Sequence, residues 1–353
     1  MDDRTTRKVQ QVGGGTLTVS LPKDWARVMD VDAGDEVVFE RNRDGTLTLS
    51  PVGEPEEAGQ SCVIDADSCD NTLLARCIVG GYILGYETIE ITADTIDQEL
   101  LTVIHRTMRR LNGISIIEQT DDAVTLRNFV DPSDASVYVI MRRMSSTVLH
   151  MLDSSLYALL QGREDLFQEV REMEDDIDVL YWLVLRQLLS AVENENVMDE
   201  IGVDNRLHLV GNRTAIKSLE GMADCIEAIV DDVEALVIDE GVTLTTSQQE
   251  QLSEISESVH AHISNAIEAL IDQDVEQANR VLVEKERFPE ETEHLLDALR
   301  EDYEDVDTNL AFNRIAWNLQ RLVEYAGFIA EITVNRGLEQ VTEDEGPIQD
   351  TSQ

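Results

Sequence analysis

The run Leu219-Glu220-Gly221-Met222-Ala223-Asp224-Cys225-Ile226-Glu227-Ala228-Ile229-Val230-Asp231-Asp232-Val233 decides the fold. Its apolar residues Leu219, Met222, Ala223, Ile226, Ile229 and Val233 return every three or four positions. That is the period of a helix with one buried face. An upstream run repeats the pattern with Leu166, Val170, Met173, Ile177, Leu180 and Val184. Working outward, helical periodicity persists from Pro132 to about Glu339, and only Pro289 interrupts it. The pattern predicts helices over 134–161, 164–193, 203–239, 246–271, 274–302 and 305–338, with Ser133 or Asp134 capping the first. Gly162-Arg163 and Asp272-Gln273 are the short turns after the first and fourth. Three helices followed by three of similar length predict a duplicated antiparallel bundle.

The acids of the second and third helices form rows beside the apolar stripes. At about 100° per residue, Glu174 and Asp178 lie roughly 70–110° to one side of the first stripe. Glu220, Asp224, Glu227 and Asp231 lie roughly 90–150° to the same side of the second. In antiparallel neighbours, equal-sense offsets bring both rows to one outer face. Carboxylates gathered there repel one another unless a cation sits between them. An all-oxygen set suits magnesium, manganese or iron. In a chain with 72 acids the same rows are also what a solvated face looks like.

That acidity bounds the rest. The 353 residues hold 27 basic and 72 acidic side chains, a net charge of -45, with 42% hydrophobic residues. The length fits two or three domains, and the apolar content excludes wholesale disorder. Only Lys8, Lys23, Lys217 and Lys285 are lysines. A dense acid surface almost without lysine predicts adaptation to very high salt. No stretch of 18 apolar residues predicts a membrane span, and the opening MDDRTTRKVQ lacks the apolar core of a signal peptide. Cys62, Cys69, Cys77 and Cys225 form no CxxC pair and read as reduced thiols. The expected location is the cytoplasm.

Residues 1–51 escape the acidity, with seven basic and nine acidic residues; the other 302 carry the remaining -43. A near-neutral module on an acidic chain points to a polyanionic partner. Thr16 to Leu21 alternates as a strand, Pro22 opens a short helix from Lys23 to Met29, and strands follow over Glu36 to Arg41 and Thr46 to Ser50. Gly13-Gly14-Gly15 and Asp44-Gly45 supply turns. So small a unit buries little surface alone, and a homodimer is expected.

Residues 52–60 read as a linker. Residues 61–131 predict a small α+β layer: a short strand from Cys62, a helix over Asn71 to Tyr86, a strand over Thr88 to Thr92, a helix over Asp97 to Leu111 and a closing hairpin. Asp94 or Thr95 is the expected cap of the second helix. His105, Arg106, Arg109 and Arg110 cluster there, as an anion site or as a solvated basic face. The chain shows no nucleotide loop, nucleophile–base pair or HExxH helix, so no enzyme is expected.

Two resemblances add to this reading. Gly15-x-Leu17-x-Val19-x-Leu21-Pro22-Lys23-x-Trp25, followed by Gly34-Asp35-x-Val37 and Asp44-Gly45-x-Leu47-x-Leu49, resembles the AbrB family of swapped-hairpin domains. The resemblance implies an intertwined dimer that binds DNA, with Arg4, Arg7, Lys8, Lys23 and Arg27 toward phosphates. The unit as a dimerisation handle alone stays open beside it. Leu219-Glu220-Gly221-Met222-Ala223-Asp224 is similar to the L-E-R-I-G-D signature of PhoU proteins, the phosphate-uptake regulators. Val170-x-x-x-Glu174-x-x-Ile177-Asp178 is similar to their second-helix signature. Gly221 and Ala223 depart from the pattern, while both acids remain.

The PhoU resemblance implies tandem three-helix bundles that carry iron or zinc clusters on the carboxylate face and act with a phosphate transporter and a signalling kinase. It places a metal (iron, zinc, manganese or magnesium) on Glu174, Asp178, Glu220, Asp224 and Glu227. In the second repeat Gln320 and Glu324 replace the signature acids, and Lys285 stands at the partner helix's first acid position, so weak or no metal binding is expected there. A fusion of these two modules resembles an arrangement in halophilic archaea.

The expected fold class is therefore mostly α. A β-rich swapped-hairpin domain (1–51) and a linker (52–60) precede an α+β segment (61–131). Two PhoU-like bundles (132–240 and 241–340) and an acidic disordered tail (341–353) follow. The leading function is phosphate-responsive regulation through DNA. The alternative is a dimeric interaction protein that never touches DNA and docks on a transporter or signalling partner.

Overall fold

A computed structural model describes residues 6–12, 15–41, 47–52, 60–131, 135–300, 303 and 305–343. The chain divides into two compact units, Met1–Gln60 and Ser61–Gln353.

In the first unit β1 (Gln10–Val12) pairs antiparallel with β2 (Thr16–Thr18), α1 spans Lys23–Val28, and β3 (Val37–Arg41) pairs antiparallel with β4 (Leu47–Pro51). The described residues thus hold four strands where three were expected. Gln10-Gln11-Val12 has one apolar residue, too few to show a period of two. β2 stops at Thr18, short of Leu21, and Pro22 caps α1 in an extended conformation. Gly34 takes φ +114 in the turn before β3, a conformation glycine reaches without strain. The turns at 13–14 and 42–46, residues 53–59 of the linker and Arg4 lie outside the described residues. No described residue of this unit is buried, and Leu17, Phe39 and Leu47 are each more than 60% exposed.

The second unit opens with a four-stranded sheet ordered β5-β6-β8-β7, built from β5 (Ser61–Asp65), β6 (Thr88–Thr92), β7 (Ile114–Gln119) and β8 (Ala123–Asn128). β5 and β6 are parallel, so α2 (Asn71–Ile83) must cross over between them; the other pairings are antiparallel. α3 (Gln98–Met108) joins α2 over the core of Ile78, Ile89, Ile91, Ile104, Val124 and Leu126. Its cap is Asp97, whose carboxylate accepts from the Leu100 N–H at 2.8 Å, in place of the expected Asp94 or Thr95. A cap side chain sits two or three residues before the orphan N–H it satisfies, and Asp97 stands three before Leu100.

Two helix trios follow. α4 (Val137–Gln161), α5 (Asp165–Glu193) and α7 (Arg206–Glu234) form the first, with a short α6 (Glu195–Glu200) between the last two. α8 (Thr246–Asp272), the pair α9 (Val275–Lys285) and α10 (Phe288–Arg300), and α11 (Val306–Glu343) form the second. α7 packs on α11 and α4 on α8, so the trios share one core. The expected stripes are that core: Val170, Ile177 and Val184, with all six stripe residues of α7, are fully buried.

The ends differ in detail. α4 starts at Val137, and Ser133 and Asp134 lie outside the described residues. α7 starts at Arg206 because Asn205 accepts from the His208 N–H, and it runs into a π-helical turn over Ala235–Asp239. The expected 274–302 helix breaks between Lys285 and Phe288, which leaves Pro289 in a first turn where its missing N–H costs nothing. α11 continues to Glu343, past the expected start of the acidic tail.

The sheet layer is fastened to α5. Arg186 of α5 is buried; it donates to the backbone carbonyls of Tyr82 and Gly85, and its guanidinium stacks 5.2 Å from the Tyr82 ring. Trp182 of α5 packs against both cores.

A candidate carboxylate site on the helical body

α5 and α7 bring Glu174 of one helix within electrostatic reach of Asp224 and Glu227 of the other, while Asp178 and Glu220 turn inward from the outer face that the helical offsets predict. Asp178 and Glu220 are buried, Glu174 and Glu227 are half-buried, and Asp224 is exposed. Their mutual electrostatics report their closeness. Glu174 is pushed up to about 7, first by burial and then by the negative charges of Glu227, Asp175 and Asp224, with Arg110 opposing. Burial also raises Glu220, with Asp224 adding to the rise and Lys217 and Arg110 opposing it. Burial raises Glu227, with Asp231, Asp224 and Asp175 adding to the rise and Arg171 opposing it. Acids from two helices thus act on each other across the groove between them.

Basic side chains answer this repulsion. Arg110, just past the end of α3, forms an ion pair with Asp178. Lys217 of α7 pairs with Glu220 one turn away. At the far end of the row Arg171 bridges the helices, reaching Asp231 at 2.7 Å as well as Glu234. Outside the row, Arg314 of α11 donates to the buried Asp232 at 2.6 Å. Sequence reasoning missed Arg110 and Arg171 as partners of the row. Arg110 had been noted only as part of a basic cluster on its own helix.

The donor set suits a hard cation, because it is all carboxylate and its own repulsion favours neutralisation. The present positions are another matter. Among the described residues no three His, Cys, Asp or Glu side chains are grouped to hold one ion. Arg110 and Lys217 supply the positive charge instead.

Gly221, the departure from the signature, has a packing cause. A Cβ there would stand 2.6 Å from Cζ of Tyr325, so the α7–α11 contact needs glycine. On the corresponding face of the second trio, the Lys285 side chain lies against Gly327, Gln320 donates to Thr292, and Arg321 lies 5.0 Å from the Trp317 ring centroid. That face carries Lys285 and Arg321 beside Glu324, where the first carries carboxylates from both helices.

Of the residues expected to meet phosphates, Arg7 and Lys8 lie before β1, and Lys23 and Arg27 stand one turn apart on α1; all four are exposed.

Residues 141–233 match the family model of the PhoU domain, and residues 10–57 match that of MazE, a bacterial antitoxin of antidote-toxin recognition. Both families are regulatory and not enzymatic. The PhoU match ends before the second trio, and neither match reaches residues 58–140. Two solved structures are similar. PhoU from Pseudomonas aeruginosa shares 19% identity over 57% of this chain and 96% of its own, with a TM-score of 0.49. The phosphate transport system regulatory protein PhoU from Streptococcus pneumoniae shares 16% over 60% and 96%, with a TM-score of 0.47. No curated protein matches the chain. Among the described residues no helix is long and apolar enough to cross a membrane.

Proposed function

We propose that this chain is a phosphate-responsive regulator, with a helical body that receives the signal and an N-terminal dimer that delivers it to DNA. The observation that carries the reading is the carboxylate face of α5 and α7 within the segment that matches the PhoU domain, where Glu174 feels the charges of Asp224 and Glu227 and Glu220 that of Asp224, with Arg110 pairing Asp178 beside them. A cation at that face would take Glu174, Asp178, Glu220, Asp224 and Glu227 as oxygen donors and replace the charge that Arg110 and Lys217 now provide. When bound, iron, zinc, manganese or magnesium would neutralise the acids and stiffen the α5–α7 pair. The chain's own residues set the competition, because Arg110 holds the most buried acid.

The N-terminal half of the proposal rests on exposure. Leu17, Phe39 and Leu47 face solvent in the single chain, an apolar surface too large for so small a unit to leave open. A second copy would cover it, and the exposed Arg7, Lys8, Lys23 and Arg27, with Arg4, would then lie twice over on a near-neutral dimer. Seven basic residues cannot hold DNA by charge alone in concentrated salt, since phosphate contacts weaken steeply there. Arginine contacts to base edges would supply the specificity.

The same exposure supports a second reading, in which the dimer never touches DNA and the body docks on a phosphate transporter or signalling protein. Footprinting upstream of phosphate-uptake genes at molar KCl separates the two. The DNA reading expects a protected sequence that is lost when Arg4, Arg7 and Lys8 are neutralised. No protection, with phosphate control intact in that variant, refutes it. Metal analysis of purified protein tests the face. Bound metal should fall in Glu220→Gln/Asp224→Asn, and equal low content in both proteins would mean a solvated face.

A further inference from the structure

α2, α3 with the turn after it, and Trp182 of α5 line a cavity of about 780 Å³ that is open to solvent on the side of its exposed arginines and that the carboxylate reading does not use. Its charge is opposite to the chain's. Acids make up 72 of 353 residues, yet none lines it, while Arg76 of α2, Arg106 of α3 and Arg110 all do. Arg110 is shared with Asp178, but Arg76 and Arg106 make no ion pair with any described residue. In so acidic a protein, two arginines left without carboxylates beside one cavity leave room for an anion from outside. The rest of the wall mixes polar Asn71, Thr72 and Thr107 with an apolar patch of Ala75, Val79, Ile83 and Val103 and the half-buried indole of Trp182. Gly80 opens the wall further, since a Cβ there would meet nothing within 4 Å. Its presence in mid-helix costs about 1 kcal/mol relative to alanine.

We propose that this cavity binds a nucleotide-sized phosphate ester. Guanidinium groups suit phosphate because their planar donors match its oxygens in pairs. The apolar patch and the indole suit a flat, poorly hydrated body attached to the phosphate. The volume is that of a small-molecule site and far exceeds what inorganic phosphate alone fills. Because Arg110 lines the cavity and also pairs with Asp178, a bound phosphate draws on the cation that neutralises the carboxylate face. The site stands on its own geometry and does not depend on the metal or the DNA reading.

The test is calorimetric titration of the full chain with adenosine and guanosine 5′-mono- and diphosphates, with adenosine, and with inorganic phosphate. At least one nucleotide should bind one to one, with adenosine and inorganic phosphate each weaker by about tenfold or more. Arg76→Gln/Arg106→Gln should weaken the nucleotide by on the order of a hundredfold, since a charge-assisted hydrogen bond is worth roughly tenfold or more. Gly80→Leu, whose side chain enters open space, should abolish binding while the thermal melt stays cooperative. No nucleotide binding tighter than about 1 mM overturns the proposal. Equal affinity in the arginine variant overturns it too, as does a cavity found closed by a second copy of the chain.

Discussion

Replacing Arg110 by glutamine should destabilise the second unit by about 2–3 kcal/mol. The Asp178 side chain is 3% exposed while that of Arg110 is 52% exposed, so the pair joins a buried anion to a partly solvated cation. Removing one partner of a fully buried pair costs roughly 3–5 kcal/mol, because a charge is stranded. Exposure of the arginine means that water already screens part of the attraction, which lowers the figure. The remaining cost is the desolvated Asp178 carboxylate, together with the loss of the positive charge that Arg110 also sets against Glu174 and Glu220. Urea denaturation followed by helical circular dichroism measures the change, and a double-mutant cycle isolates its cause. In an Asp178→Asn background the arginine substitution should cost less by at least about 1.5 kcal/mol. A cost below about 0.5 kcal/mol, or the same cost in both backgrounds, would show that Arg110 does not answer the acid row.

Three further outcomes follow from the same contacts. Glu174, held near 7 by burial and neighbouring acids, binds its proton more tightly folded than unfolded. It therefore costs nothing below about pH 4.5, and the wild type loses stability as pH rises toward 7. Glu174→Gln should gain about 1–2 kcal/mol over wild type at pH 8 and nothing at pH 4.5, after allowance for solvent screening; a pH-independent difference would refute the assignment. Alanine should act in opposite senses at two helical glycines. Gly221→Ala drives a Cβ into the Tyr325 ring and should destabilise by about 1–2 kcal/mol, whereas Gly80→Ala enters open space and should stabilise by up to about 1 kcal/mol. Equal effects by thermal melting would contradict the packing. Phe39→Ser should shift the chain from dimer to monomer in sedimentation, and an unchanged mass would remove the swapped-hairpin dimer from the account.

The helical body was legible because its signal is local and redundant. The two apolar stripes of six residues each span several turns, so an error of a few residues at a helix end leaves the assignment standing, as at Arg206 and Val137. Pro289 marked the irregularity in the fifth helix, and the backbone resolves it by ending α9 and starting α10. The meeting of Glu174 with Asp224 and Glu227 follows from helical angles alone. The neutralisation of the acid rows does not, because Arg110 arrives from the sheet layer and Arg171 meets Asp231 only where α5 packs on α7. No local pattern encodes such meetings. The cavity was hidden for the same reason: Arg106 and Arg110 read as a basic cluster, but Arg76 and Trp182 join them only through tertiary packing. β1 was missed because a three-residue strand with one apolar side chain carries almost no period.

The central claim is that this protein couples phosphate status to phosphate uptake. Its most direct test is the rate of radiolabelled phosphate uptake in cells that lack the chain, grown in scarce and in abundant phosphate. The account predicts that uptake no longer falls when phosphate is abundant, and that the wild-type gene restores control while a Glu174→Gln/Asp178→Asn/Glu220→Gln/Asp224→Asn variant does not. Uptake that still responds fully to phosphate in the deletion strain would contradict it.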